Sequence, residues 1–112
     1  RIYTIAEYSA SSATVSTTTP FGSITTTGDD LALSLAAGST NGALISLIHT
    51  TDGGGDATLT AASNSIYNPT DGSDALRTTI VFDTVGDRVD LMWTSTNSKW
   101  LVIYQSGVAF GG

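Results

Sequence analysis

The chain has 112 residues and no cysteine, and ten acidic residues against four basic ones give it a formal net charge of −6. This length predicts one domain whose core needs no disulfides. The scattered bases and the negative balance argue against partners that are nucleic acids or anionic membranes.

The first 28 residues are rich in Ser and Thr and only weakly patterned. Residues 2–8 predict a first strand or an arm, and Pro20-Phe21-Gly22 predicts a turn. We therefore expect residues 1–28 to form an extended arm that lies on a neighbouring subunit and serves assembly. Removal of residues 1–20 should then leave a folded β core, which we place over residues 29–112.

The middle of the chain alternates strand patterns with glycine-rich turns. Residues 29–37 alternate Leu with smaller side chains, which is the period of a strand, and one short helical turn is the alternative. Residues 43–51 predict a buried strand, Asp52-Gly53-Gly54-Gly55-Asp56 a hairpin loop, and residues 57–61 the returning strand. Residues 64–74 predict a long loop.

The strand pattern is clearest in the last third of the chain. Residues 77–84 predict one strand, and residues 88–94 and 99–105 predict two more, joined by the polar turn 95–98. The second of these has apolar residues on one face, and the third places Trp100, Val102 and Tyr104 on one face. The sequence therefore predicts an all-β fold: a single antiparallel β-sandwich or barrel-like domain with an extended N-terminal arm.

Two tryptophans flank the polar turn, Trp93 before it and Trp100 after it. If the two rings were exposed, they could stack on sugar rings or contact a partner, so they are the candidate glycan-binding or interface aromatics. If they are buried, they form a cross-strand pair in the core. We favour the buried arrangement.

Groups that would support catalysis are sparse. His49 is the only histidine and lies within an apolar strand, no Gly-x-Ser-x-Gly elbow is present, and Glu7 is the only glutamate. Most aspartates occur at turns, where their side chains bond the local backbone. We therefore expect no enzymatic activity, no catalytic residues and no bound cofactor.

One metal alternative stays open. The chain lacks the His and Cys clusters that transition metals need. The loops Asp52-Gly53-Gly54-Gly55-Asp56 and Asp71-Gly72-Ser73-Asp74 carry paired carboxylates, the hard oxygen ligands that calcium prefers. Neither loop matches an EF-hand, so a calcium ion at these Asp-rich loops is the alternative to a chain without metal.

The surface composition favours assembly. Only 12% of the residues are charged, about half the usual share, and Ser and Thr take their place. Hydroxyl groups cost less to desolvate than charges, so they pack well against a second chain. The sequence predicts a subunit of an oligomer, with a Thr-rich monomer as the alternative.

A family resemblance rests on the second half of the chain. Gly86-Asp87-Arg88-Val89-Asp90-Leu91, a polar turn and then Trp100-Leu101-Val102-Ile103 resemble a pattern of tailed-bacteriophage structural proteins. Upstream, Leu44-Ile45-Ser46-Leu47-Ile48 and Ala57-Thr58-Leu59-Thr60-Ala61 are similar to the unit that often precedes it. This resemblance covers residues 42–104 and implies a β-rich virion protein, commonly a trimer, without catalytic residues.

The resemblance and the composition together predict a function. We expect a small capsid decoration protein of a tailed phage that forms a homotrimer on the virion surface, with itself and the major capsid protein as partners. One alternative is a tail-fibre or tailspike module that binds host glycan. A second alternative is a carbohydrate-binding module without a viral role.

Overall fold

The structure is a computed structural model, and it describes residues 4–71 and 75–112. Within these two ranges the chain forms twelve β-strands and one short 3-10 helix, Pro69–Asp71. The strands are β1 (Ile5–Tyr8), β2 (Ala13–Val15), β3 (Phe21–Thr26), β4 (Leu31–Leu35), β5 (Leu44–Asp52), β6 (Ala57–Thr60), β7 (Ile66–Tyr67), β8 (Leu76–Arg77), β9 (Thr79–Phe82), β10 (Arg88–Thr94), β11 (Lys99–Ser106) and β12 (Ala109–Gly111).

The strands pack as a sandwich of two sheets, which confirms the predicted all-β class. One sheet has the order β1-β3-β5-β10-β11-β7-β8, and the other has the order β12-β9-β6-β4-β2. Both sheets are mixed, rather than antiparallel throughout as expected. The first six strands alternate between the sheets, so β1, β3 and β5 pair in parallel in one sheet and β2, β4 and β6 pair in parallel in the other.

This alternation overturns the predicted hairpin at residues 52–56. The loop carries the chain from β5 in one sheet to β6 in the other, and it stacks on the neighbouring loop of residues 27–30. The Gly55 N–H donates to the Thr27 carbonyl at 2.8 Å, and a Cβ on Gly55 would lie 2.0 Å from the Asp29 carbonyl oxygen. Glycine is required here because two backbones meet, not because a two-residue turn reverses the chain.

The expected N-terminal arm is part of the sandwich instead. Residues 1–3 lie outside the described ranges, but β1 pairs with β3 in one sheet and β2 pairs with β4 in the other. Tyr8 is 7% exposed and Val15 1% exposed, so both side chains belong to the core. These strands stay with the sandwich because their apolar side chains are removed from water there.

The core lies between the two sheets and follows the strand register. One inward row of the five-stranded sheet crosses five strands and consists of Ala13, Leu33, Leu59, Ile80 and Phe110. The facing sheet contributes large buried side chains, chiefly Ile24, Ile45, Leu47, Leu91, Trp93 and Trp100. Alternating side chains thus fill the interior from both sheets, as expected for a sandwich.

The hairpin of β10 and β11 has the predicted strands and turn, with one irregularity. Leu91 pairs with Val102 and Asp90 pairs with Tyr104, so Ile103 is an extra residue, a β-bulge. The bulge reverses the alternation, and Tyr104 is 49% exposed. The expectation that Tyr104 shares the face of Trp100 is therefore wrong.

Candidate interaction surface

The two predicted site residues, Trp93 and Trp100, lie in the core. They are 5% and 1% exposed, and their rings meet edge to face with centroids 5.2 Å apart. The Trp100 indole Nε1–H donates to the Ala36 carbonyl at 3.0 Å, which satisfies its polar group. Neither ring can stack on a sugar while the domain is folded, as the interpretation we favoured expects.

His49 is fully buried and serves the packing of loops on strands. Its Nδ1 lies 3.2 Å from the Thr84 carbonyl oxygen, which can only accept, so Nδ1 carries a proton. Its Nε2 lies 3.0 Å from the Thr26 hydroxyl, which also lies 3.4 Å from the Asp52 carboxylate. Both ring nitrogens are therefore occupied by structural partners.

Carboxylates bind two backbone N–H groups of the first Asp-rich loop. The Asp52 carboxylate accepts from the Gly54 N–H at 2.8 Å, and the Asp30 carboxylate accepts from the Asp56 N–H at 2.9 Å. Within residues 4–71 and 75–112, no three His, Cys, Asp or Glu side chains are grouped to hold a metal ion. Three residues of the second loop, 72–74, lie outside the described ranges, so calcium there stays a prediction.

The Gly86-Asp87 pair of the family-like motif has a structural explanation. Gly86 has a φ of +94° at the turn between β9 and β10, and the Asp87 carboxylate accepts from the N–H groups of Asp83 and Thr84 at 2.9 and 3.0 Å. Such local bonding to a turn is the usual role of Asp. This motif therefore fixes a connection between the sheets and carries no reactive group.

The outer faces of the two sheets differ sharply in character. The outer face of the five-stranded sheet carries small or β-branched side chains: Thr14, Ala32, Ser34, Thr58, Thr60, Thr79, Val81 and Ala109. The outer face of the seven-stranded sheet carries large apolar side chains instead. We call this second surface the apolar sheet face and describe it by the rows of side chains that cross its strands.

The first row is wholly apolar or aromatic and crosses five strands. It consists of Leu44, Met92, Leu101, Tyr67 and Leu76. Its two ends are open to solvent, because Leu44 is 48% exposed and Leu76 is 41% exposed. A row of this kind is unusual on a surface unless a partner covers it.

The second and third rows mix apolar and polar side chains. The second row is Ile5, Phe21, Ser46, Asp90 and Tyr104, and the third is Glu7, Ser23, Ile48, Arg88 and Ser106. Ile5 is 59% and Phe21 39% exposed. The bulge residue Ile103, 44% exposed, adds a further apolar side chain beside these rows. A shallow depression of about 300 Å³ lies among Phe21, Leu44 and Ile103.

A hydrogen-bonded cluster of Ser46, Arg88 and Asp90 lies in the middle of the face. The Asp90 carboxylate accepts from the Ser46 hydroxyl at 2.7 Å and from Arg88 Nε and Nη2 at 3.0 and 2.9 Å. Hydrogen bonding to Asp90, and then the charge of that carboxylate, raise the pKa of Arg88 above its ordinary value. The guanidinium also lies over the Tyr104 ring.

The residue pattern of β5 indicates this face, which the prediction of a buried strand over residues 43–51 did not identify. In β5, Leu44 and Ile48 point outward while Ile45 and Leu47 point inward, so the strand is apolar on both sides. A strand that is apolar on both sides is typical of a sheet that is covered on both sides. The structure covers only the inner side within the described chain.

The comparisons with known proteins add no family. The chain matches no protein-family model, and no curated protein matches its sequence. The described residues also contain no helix that is long and apolar enough to cross a membrane. Function is therefore argued from the fold and from the apolar sheet face.

Proposed function

We propose that this chain is a non-catalytic structural protein of a virion, a small decoration protein that assembles as a homotrimer on the capsid of a tailed phage. The observation that carries this proposal is the apolar sheet face, a broad surface suited to contact with other subunits. The resemblance of residues 42–104 to phage structural proteins supports the viral setting, and the major capsid protein is the second partner.

Two further features support a structural role. His49 and the carboxylates of Asp52 and Asp30, which could have suggested a reactive or metal-binding site, bond the residues around them and tie neighbouring loops and strands together. The first six strands alternate between the sheets, and the loop of residues 52–56 is hydrogen-bonded to that of residues 27–30, so we expect a rigid domain. Rigidity and a large contact face are what a particle surface requires of a cement protein.

The two glycan-binding alternatives required exposed rings at Trp93 and Trp100, and both rings are buried. A sugar-binding surface would have to use exposed aromatic rings such as Phe21 or Tyr104 instead. Glycan-array binding that disappears on Tyr104→Ala, with the fold intact, would favour the tail-fibre or carbohydrate-binding alternatives over the decoration protein.

Two measurements test the proposal. Size-exclusion chromatography with light scattering should give three times the chain mass of 11.5 kDa. Cryo-electron microscopy of the source particle should place the chain in clusters of three on the capsid surface. A stable monomer would contradict the homotrimer, and density at the tail tip alone would support the tail-fibre alternative.

A further inference from the structure

We infer that copies of this chain meet through the apolar sheet face, with the row Leu44, Met92, Leu101, Tyr67 and Leu76 and the bulge residue Ile103 at the contact. This inference rests on the proposed function only in taking a second copy of the chain as the partner. Three properties of the face support that partner: its charge, its internal hydrogen bonds and its size.

Charge decides which surface identical copies can share. Each copy carries a formal net charge of −6, so two copies repel each other wherever their carboxylates would face. The apolar sheet face carries two acids, Glu7 and Asp90, and two bases, Arg88 and Lys99, the last opposite Thr94 at the end of β10. It is therefore neutral, so copies that meet through it do not bring an excess of like charges together.

The polar centre of the face is suited to being covered. Asp90 already accepts three hydrogen bonds, from Ser46 and from two nitrogens of Arg88. Burial of an ion pair is costly chiefly when it leaves charges or lone pairs without partners. Because these partners lie within one chain, a second copy can exclude water from Arg88 and Asp90 without having to supply bonds to Asp90.

The size of the face is adequate. The molecule measures 38 × 35 × 23 Å, and the apolar sheet face is the outer side of a seven-stranded sheet. The two larger extents limit any one side of the molecule to about 1,300 Å² in projection, which leaves room for the roughly 800 Å² per partner of a standard interface. The outer face of the five-stranded sheet has similar breadth but presents small side chains, which offer few of the large anchors that dominate association.

The test compares matched lysine substitutions on the two outer faces. Leu44→Lys and Ile103→Lys place a charge on the apolar sheet face, and Ala32→Lys places the same charge on the exposed outer face of the five-stranded sheet. All three substitutions change the net charge of the chain by the same amount. Light scattering over a concentration series measures association, and circular dichroism with thermal unfolding verifies the fold of each variant.

Association of both Leu44→Lys and Ile103→Lys should weaken about 30-fold or more, because lysine must lose its hydration on burial. Ala32→Lys should associate as the original chain does. The inference is overturned if Leu44→Lys and Ile103→Lys associate normally, or if Ala32→Lys is the one variant that dissociates. In either case the homotrimer proposal survives, because the original chain still associates. If the original chain is monomeric at every concentration, the inference and the homotrimer fail together.

A second measurement does not depend on destabilising the contact. The chain contains no cysteine, so a pyrene label on Ile103→Cys reports only on that position. Excimer emission at assembly concentrations is expected for Ile103→Cys and not for Ala32→Cys. Excimer emission from Ala32→Cys and none from Ile103→Cys would assign the contact to the opposite face and overturn the inference.

Discussion

The guanidinium carbon of Arg88 lies 5.3 Å from the centre of the Tyr104 ring, on the outer face of the seven-stranded sheet. The contact exists because the bulge at Ile103 turns Tyr104 outward, opposite Asp90. A regular strand would have pointed this ring into the core beside Val102. One extra residue thus adds the exposed ring of Tyr104, next to the exposed Ile103, to the face that we propose as the contact between copies.

Deletion of Ile103 should leave the domain folded. Without Ile103, Val102 and Tyr104 become consecutive. Val102 still pairs with Leu91 and Tyr104 with Asp90, so β10 and β11 pair without a bulge. We expect a free energy of unfolding within about 1 kcal/mol of the original in a urea titration. Deletion of Met92 is the control, because it places side chains of β10 on the wrong face and should abolish cooperative unfolding. If the two deletion variants unfolded with similar cooperativity and similar free energies, the pairing of β10 with β11 that makes Ile103 the extra residue would be contradicted.

The tryptophan pair should be essential to stability and shielded from solvent. Trp100→Phe removes the hydrogen bond to Ala36 and part of a buried ring, so we expect a loss of about 1–3 kcal/mol in the free energy of unfolding. Fluorescence of the folded chain should resist quenching by iodide, and unfolding in urea should restore quenching. Strong quenching in the native state would place Trp93 or Trp100 at the surface and revive the glycan-binding alternative.

Gly55 and Gly28 provide a matched pair at the stacked loops. A Cβ on Gly55 meets the backbone of Asp29, whereas a Cβ on Gly28 has no atom within 4 Å. Gly55→Ala should lower the free energy of unfolding by about 1–3 kcal/mol, because two loop backbones must separate. Gly28→Ala should be neutral or stabilise by up to about 1 kcal/mol. Equal melting temperatures for both variants would rule out the close approach of the loops.

His49 should matter for stability and not for any reaction. His49→Leu preserves bulk but removes both ring hydrogen bonds, so the Thr84 carbonyl keeps only the Asp87 N–H at 3.1 Å and the Thr26 hydroxyl keeps only the Asp52 carboxylate at 3.4 Å. We expect a loss of about 1–3 kcal/mol in the free energy of unfolding, since each lost hydrogen bond contributes about 0.5–1.5 kcal/mol. Thr25→Ala on the adjacent outer position is the control and should change stability by less than about 1 kcal/mol. A His49→Leu chain as stable as this control would mean that the buried bonds are not formed.

Deletion of residues 1–20 should prevent folding, which reverses the expectation for a detachable arm. The deletion removes β1 and β2 and uncovers the inward face of both sheets where Tyr8 and Val15 pack. The truncated chain should lack a cooperative thermal transition and bind a hydrophobic dye. A truncated chain that melts cooperatively, yet no longer forms oligomers, would restore the arm and its role in assembly.

The sequence by itself determined the strands with the clearest alternation, mainly in the second half of the chain, but it did not predict β2, β3 or β7, which lie in residues expected to form the arm or a loop. The two-residue period is a local property, so β10 and β11 were predicted almost to the residue, with the turn between them. Leu31, Leu33 and Leu35 were likewise predicted as a strand, and the favoured burial of Trp93 and Trp100 followed from the same alternation.

Only the tertiary structure decided which strands pair and what the outer faces carry. A four-residue loop such as 53–56 can close a hairpin or cross to the opposite sheet, and the choice depends on contacts distant in sequence. The rows of the apolar sheet face join residues from up to five strands, so a local pattern such as that of β5 can indicate a covered face but cannot reveal the rows. The bulge at Ile103 likewise depends on its partners in β10, because the register of one strand is defined only against another.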